Sequence, residues 1–388
     1  MRVPKILAIV LAGGKGSRLG ALTENHAKPA LPIAGTYRLI DISLSNLMHS
    51  HISNVWLVEQ HMPHSLNIHL SQGRPWDLDR NHGGLEIVAP FEGGTGAGFA
   101  TGNADTLYRL RERLAASGAE FVLVLSADHL YTLNFLDVVS THRDTQAELT
   151  MVTTKVAEDA SRYGVVQASE SGRVTGFDYK PDDPEGHLVT AEIFLYTLEV
   201  LVEALETLGQ EHGELSDYGD ELVPWFVERG RTYEHRLTGY WMDLGTLQSY
   251  WTAHLQLLDG DGATLDDPEW AIFSAQPQLL PARIEGSARV SNSLVSAGTH
   301  VAGEVRHSVV GPGAVIEEGA TVADSVILNG ARIASGVHLT NCIVAMDADV
   351  SRAGERGSAG SVTLIDETGR VAERQKLDPS ARLPLGFS

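Results

Sequence analysis

Ile6-Leu7-Ala8-Ile9-Val10-Leu11-Ala12-Gly13-Gly14-Lys15-Gly16-Ser17-Arg18-Leu19 is the stretch on which the reading of this chain turns. An apolar run with no polar alternation predicts a strand buried on both faces. It is far short of the ~20 apolar residues that a bilayer-spanning helix needs. The glycines that follow allow close backbone approach and turn free N–H groups toward an anion, and Arg18 adds a forked donor. Lys28, followed by Pro29, places a second cation near the same edge. The turn lacks the GK[ST] ending of a Walker loop and does not fit the G-x-G-x-x-G dinucleotide fingerprint. A plain tight turn would account for the glycines, though not for both cations.

Outward from this strand, the first 255 residues alternate apolar runs with amphipathic stretches. Leu39 to Ser50 carries apolar residues at helical spacing, and Asn54-Val55-Trp56-Leu57-Val58 reads as a short strand. Leu107 to Leu114 reads as a charged amphipathic helix, and Phe121 to Leu125 as a strand stopping at Ser126-Ala127-Asp128. This alternation predicts a doubly wound, Rossmann-like α/β domain with ligands at the carboxyl edge of its sheet.

From about residue 283 the helical pattern gives way to another period. Ile284, Val290, Val295 and Val301, then Val310, Ile316, Val322, Ile327, Ile333, Leu339, Val344 and Val350, recur every five or six residues. One longer interruption falls at Glu304 to Val309, and small residues separate the apolar ones. A period near six predicts a left-handed parallel β-helix of hexapeptide repeats, with an alternating β-sandwich as the other reading. The expected organisation is a catalytic domain over 1–255, a linker over 256–282, the β-helix over 283–350 and a tail of no assignable pattern over 351–388.

The chain has 29 Lys plus Arg against 50 Asp plus Glu, a net charge of −21 over 388 residues. Such a surface repels nucleic acid and anionic membranes, so neither is an expected partner. One cysteine, Cys342, leaves no disulfide within the chain and argues against a cysteine zinc site. A cytoplasmic protein is expected.

Six motifs carry a resemblance: LAGGKGSRL (11–19), AKPALPIAGTYRLIDISLSN (27–46), SADHLY (126–131), YGVV (163–166), YKP (179–181) and YWMDLGT (240–246). In this order they resemble the sugar nucleotidyltransferases, most closely the glucose-1-phosphate adenylyltransferase (ADP-glucose pyrophosphorylase) family, over most of the chain. The resemblance implies transfer of a nucleotidyl group from ATP to glucose 1-phosphate with Mg²⁺, giving ADP-glucose and pyrophosphate for glucan synthesis, in a homo-oligomer (dimer or tetramer). It implies metal binding at Asp128 and Asp243 and catalysis by these with Arg18 and Lys28. It places the nucleotide against Leu11, Ala12, Gly13, Gly14, Gly16, Arg18, Gly102 and Asp128, and the sugar phosphate against Gly164, Lys180, Thr190 and Glu192.

Each residue also has a structural reading. Asp128 can cap a helix, Asp243 can be a buried hydrogen-bonded acid, and Lys180 can be a solvated loop lysine. His129 reads as structural, and Arg38 with Asp41 as either an i,i+3 pair or functional groups.

The departures from the family pattern gather around specificity. The loop expected to meet the base reads Val88-Ala89-Pro90-Phe91-Glu92-Gly93-Gly94, without the usual amides. Tyr179 stands where the family has a glutamate and Glu192 where it commonly has a glycine; Asn25-His26 replaces a basic pair linked to activation. Two alternatives therefore accompany the main expectation: a different nucleotide or hexose 1-phosphate, such as an amino sugar, and a catalytically idle regulatory subunit. A β-helix acyltransferase is disfavoured, because that domain shows no histidine placed like a general base.

Overall fold

The computed structural model describes residues 4–13, 16–60, 62–89, 100–157 and 159–384. Gly14, Lys15, Phe91 and Glu92 lie outside the described residues.

The first strand, β1 (Ile6–Ala12), is buried on both faces as its sequence requires. Leu7 and Ile9 enter one core, with Leu107, Leu110 and Leu201, while Ala8, Val10 and Ala12 enter the other, with Leu44 and Val138. A short hairpin, β2 (Pro32–Ile33) and β3 (Tyr37–Arg38), leads into α1 (Leu39–His49). Then follow β4 (Asn54–Glu59), α2 (Pro63–Leu70), β5 (Gly84–Val88), α3 (Asn103–Ala116), β6 (Phe121–Ser126), β7 (His129–Tyr131) and α4 (Phe135–Asp144). The domain continues through β8 (Leu149–Lys155), β9 (Gly164–Ala168), β10 (Val174–Tyr179), β11 (Leu188–Thr197), α5 (Leu198–His212) and α6 (Leu222–Glu228). It closes with β12 (Thr232–Arg236), β13 (Trp241–Asp243) and α7 (Leu247–Asp259).

Nine strands form the main sheet, in the order β10-β9-β11-β6-β1-β4-β5, with β8 and β12 branching from β11. The β6-β1-β4-β5 core is parallel, as a doubly wound sheet demands. Strand β11 runs antiparallel to β6 and β8, so the whole sheet is mixed. Its antiparallel half brings loops to the carboxyl edge of the parallel half, which is where a ligand sits in such folds.

Beyond the linker, short strands stack into three parallel sheets, the arrangement of a hexapeptide β-helix. Val301, Val310, Ile316, Val322, Ile327, Ile333, Leu339, Val344 and Val350 all point inward at 1% exposure or less. The interruption at Glu304 to Val309 conceals one more inward residue, Val305, which pairs in register with Val290 and Val322. Ile284 and Val290 are exposed because the first coil has a neighbour on only one side. At one corner the coils are tied by side chains: Ser293, Ser308 and Ser325 each accept the backbone N–H of Ser308, Ser325 and Cys342 in turn. Pairing does not stop at Val350. Strands at Gly354–Arg356 and Ser361–Ile365 extend two of the sheets, and Val371–Lys376 returns antiparallel to the latter.

The two domains share a core, in which Val326, Leu328, Ile343 and Leu364 join Leu247 and Trp251 of α7. Trp251 donates its indole N–H to the Asp324 carbonyl at 2.7 Å. His307 lies between Asp259 (3.0 Å) and Asp324 (2.7 Å), linking the end of α7 to the β-helix. The linker lies on α1: Trp270 donates to Asn46 Oδ1 at 2.7 Å, and Phe273 N–H to Ser45 Oγ at 2.9 Å. Among the described residues no helix is long and apolar enough to cross a membrane.

Candidate active site

Two acids more than a hundred positions apart meet because of one small ladder. Strand β7 pairs antiparallel with β13, setting His129 directly opposite Asp243. Asp128 immediately precedes β7, at the carboxyl edge of β6. The carboxylates of Asp128 and Asp243 and the imidazole of His129 each offer a ligand atom within 4.8 Å of the others. His129 Nδ1 lies 3.2 Å from the Ala191 carbonyl, and its Nε2 faces the acids, 3.6 Å from Asp128 Oδ1 and 3.8 Å from Asp243 Oδ1. Two carboxylates and one imidazole suit a divalent cation.

Lys28 sits in a short turn opened by the rigid Ala27-Lys28-Pro29 backbone, and is 5% exposed. Its ammonium donates to Asp128 Oδ2 at 2.7 Å and to Asp243 Oδ1 at 3.3 Å. Burial opposes every charge here. The Lys28 ammonium nevertheless outweighs it at both acids, with His129 behind it, and holds them below the ordinary carboxylate range. Burial likewise opposes the lysine's charge, and the two carboxylates overcome it to raise Lys28 above its usual value. Ser126 adds a hydrogen bond to Asp128 Oδ1. Arg18 is exposed on the turn after Gly16, and its guanidinium and the Asp243 carboxylate crowd Gly245 from two sides. A methyl group there would lie 2.8 Å from each, so a larger residue would have to displace the Arg18 guanidinium and the Asp243 carboxylate.

Lys28 and Asp128 line a cavity of about 230 Å³ that reaches from Leu11 and Gly13 to Lys180, Glu192, Asp217 and Tyr218. Its far wall is pre-tied. Lys180 donates to the Tyr179 hydroxyl at 2.6 Å, and that hydroxyl donates to Asp217 Oδ2 at 3.1 Å. Glu192 lies in a bulge where the β11–β8 register shifts, with φ +56°. Its backbone N–H is held by Thr190 Oγ at 3.1 Å. Burial raises the Glu192 carboxyl, and Asp128 and Asp243 add to this against His129 and a hydrogen bond with Tyr218. Lys180 also has positive φ, +49°. Two non-glycine residues in this region on one wall mark a surface whose conformation is imposed by its surroundings.

The other expected contacts fall behind the cavity. Gly164 pairs with Tyr179, and a Cβ on it would meet the Phe177 ring at 2.7 Å and Thr190 at 2.9 Å. Gly102 packs on the Ser216 carbonyl at the start of α3, and its neighbour Asn103 is the residue that faces the cavity. Ala12 ends β1, and Gly16 takes φ +61° at the turn. Arg38 and Asp41 resolve as a helix start: Arg38 N–H donates to Asp41 Oδ2 at 2.8 Å, and the Arg38 guanidinium to the Ala30 carbonyl at 3.0 Å. Asp41 takes a further bond from His69. Asn25 and His26 face Glu367, at 3.2 and 3.6 Å.

Sequence reasoning gives His129 a structural role without foreseeing that it faces both acids, and does not single out Asp217 or Tyr218. The first signal was available, since a histidine beside a strand-end acid shares its edge. The second was not, because the loop before α6 meets β10 only in three dimensions.

The sequence model of the nucleotidyl transferase family matches residues 7–260, and that of the GlmU-like C-terminal hexapeptide matches residues 279–359. A glucose-1-phosphate adenylyltransferase of Bacillus cereus (strain Q1) is 36% identical over 343 residues, covering 88% of this chain and 91% of the relative. The enzyme of that name from Acetivibrio thermocellus is 34% identical over 356 residues, 91% of this chain and 83% of its own. The chain belongs to the glucose-1-phosphate adenylyltransferase family. A second Bacillus relative, from Bacillus mycoides (strain KBAB4), is 36% identical over 343 residues. The nucleotidyl transferase match spans the domain that carries Lys28, Asp128 and Asp243, and the hexapeptide match spans the β-helix.

Proposed function

We propose that the protein joins ATP and α-D-glucose 1-phosphate into ADP-glucose with release of pyrophosphate, for glycogen or other α-glucan synthesis. The observation that carries this is a single cavity with Lys28 clamped between Asp128 and Asp243 at one end and Lys180 at the other. A sugar-phosphate oxygen attacks the α-phosphorus in line. The bond from that phosphorus to the β-phosphate's bridging oxygen breaks, and its electron pair leaves with pyrophosphate. The attacking oxygen is already anionic, so the protein supplies no base. Its task is to bring two anions together and steady the departing one. Lys28 and Arg18 neutralise the triphosphate, Lys180 holds the sugar phosphate on the facing wall, and the glycine turn offers backbone donors. Asp128 and Asp243 would hold Mg²⁺, which neutralises phosphate charge when bound.

The deciding assay is pyrophosphate release with Mg²⁺, crossing the common nucleoside triphosphates with glucose, glucosamine and mannose 1-phosphates. A dominant ATP and glucose 1-phosphate signal is expected. No signal from any pair would instead favour an idle regulatory subunit.

A second reading keeps the reaction and changes the sugar. Glu192 reaches into the cavity beside Tyr218, and Tyr179 is committed to Asp217 and Lys180. A carboxylate in that position accepts from sugar hydroxyls or pairs with the ammonium of an amino sugar. On this reading Glu192 compensates for the loss of an acid at Tyr179. Unchanged preference between glucose and glucosamine 1-phosphates in Glu192→Gln would reject it.

We place the protein in the cytoplasm as a homo-oligomer, a dimer or tetramer. The exposed Ile284, Val290 and Leu294 of the first coil support an assembly of this kind. Light scattering at assay concentration measures it, and a monomer would exclude it.

A further inference from the structure

Helix α7 carries Gln248, Thr252 and Gln256 four residues apart, on one face, each at most 3% exposed. Buried polar groups need partners, and here they come from the far end of the chain. Gln248 grips Asp378 in both directions: its Nε2 donates to the Asp378 carbonyl at 3.0 Å, and its Oε1 accepts the Asp378 N–H at 2.8 Å. Thr252 donates to the Arg382 carbonyl at 3.3 Å and Gln256 to the Leu383 carbonyl at 3.4 Å. The backbone N–H of Gln248 lies in the first turn of α7, where no helical acceptor exists, and donates to Gln375 Oε1 at 3.1 Å. Arg382 then reaches back to the Trp241 carbonyl at 3.4 Å and lies 4.9 Å over the Tyr240 ring.

These contacts bracket one residue. Trp241 is two positions before Asp243, and α7 begins four positions after it. Strand β13 is only three residues long and is paired on one side alone, with β7. Between the C-terminal segment and β13 lies a cavity of about 250 Å³ bordered by Met242 and Asp243. The segment therefore reaches this strand by one directed hydrogen bond, from Arg382 to the Trp241 carbonyl, and grips α7 just after it, rather than packing closely on it.

We propose that residues 375–383 form a strap that positions Asp243, with Arg382 and Gln248 as its positioning residues on either side. This rests on the reading of Asp243 as a cation-binding acid. Side chains that hold a ligating group in place weaken metal affinity by ~10-fold or more when lost, although they never touch the ion. Positioning also explains why a segment outside the catalytic domain satisfies a helix whose other face is apolar.

The test uses the full chain as wild type, Arg382→Ala, Arg382→Lys, Gln248→Leu and Asp243→Asn. Two readouts are taken without substrate: hydrogen exchange over 241–249, and Mn²⁺ affinity by electron paramagnetic resonance. Arg382→Ala and Gln248→Leu should speed exchange there by ~10-fold and weaken Mn²⁺ binding ~10-fold, with Arg382→Lys restoring most of both. The KM for glucose 1-phosphate should move less than ~2-fold, since Lys180 lines the other cavity and not the one beside the segment. Wild-type exchange and Mn²⁺ affinity in Arg382→Ala would overturn the strap, whatever becomes of Gln248→Leu. Asp243→Asn that still binds Mn²⁺ like wild type would instead overturn the reading of Asp243, and exchange over 241–249 would then judge the strap alone.

Discussion

The two ends of the cavity are built on opposite principles. At the end that holds the acids, His129 and Asp243 lie opposite each other on the β7–β13 ladder, Asp128 and Lys28 sit on short turns beside it, and their charges compensate one another. At the opposite end, where we propose the sugar phosphate binds, Lys180 and Glu192 stand at positive φ on a loop and a bulge, and their neighbours are tied to each other before any ligand arrives. Chemistry common to the family needs charge at fixed points, which a two-strand ladder supplies. Substrate choice needs shape and hydrogen-bond pattern, which bulges and loops can change without disturbing the ladder. The departures Tyr179 and Glu192 both fall at the second end.

The strongest way to break this contrast is at the acids. Asp128→Asn and Asp243→Asn should each lower kcat by about a thousandfold while the chain stays folded, measured by pyrophosphate release beside circular dichroism. Retention of a tenth of the activity in either would mean that the end holding the acids is not assembled as described. Next in size, Lys180→Ala should raise the KM for glucose 1-phosphate by ~10–100-fold, the worth of lost charge-assisted hydrogen bonds, and leave that for ATP within ~2-fold. Equal effects on both substrates would erase the division into two ends.

A smaller effect sharpens the comparison through pH. Burial raises Glu192 in the folded state, so the folded protein binds its proton more tightly than the unfolded chain does. Above the unfolded value the ionised group costs stability, and below it that cost is gone. Glu192→Gln should therefore raise Tm by roughly 1–3 °C at pH 7.5, with the gain fading as the pH falls toward ~4.3. Asp128 has the opposite sign. Its folded value is lowered, so its contribution is present at neutral pH and is lost only as the pH falls below the ordinary carboxylate range. A scan of Tm against pH for both wild type and Glu192→Gln tests the two signs together.

The smallest expected effect concerns activation. Asn25 and His26 face Glu367, and burial lowers His26 despite that carboxylate, so neither residue of the pair brings a fixed positive charge to an incoming phosphate. Fructose 1,6-bisphosphate should change the rate by less than ~2-fold, since a like charge repels it. A large saturable activation would show that another cation answers for this pair.

Much of this architecture was legible in the residues themselves. A short unbroken apolar run ending in glycines favours a strand covered on both faces, and β1 is one. A period near six favours stacked coils over a β-sandwich, and nine of the twelve expected inward residues are buried to 1% or less. The exceptions, Ile284, Val290 and Val295, belong to the first coil, where the repeat is intact but the next coil is missing on one side. Val305 was hidden because its spacing shortens to four and five residues within a coil that still stacks in register.

Local patterns thus determined the elements, the repeat and the residue types that phosphate chemistry needs, because each depends on near neighbours along the chain. Tertiary structure decided the rest: that His129 faces both acids, that Asp217 and Tyr218 complete the far wall, and that the last rungs and residues 375–383 return to α7. These outcomes depend on strand register and long-range hydrogen bonds. Their partners lie tens to hundreds of residues apart, and no periodicity within a segment records which distant segment will satisfy it.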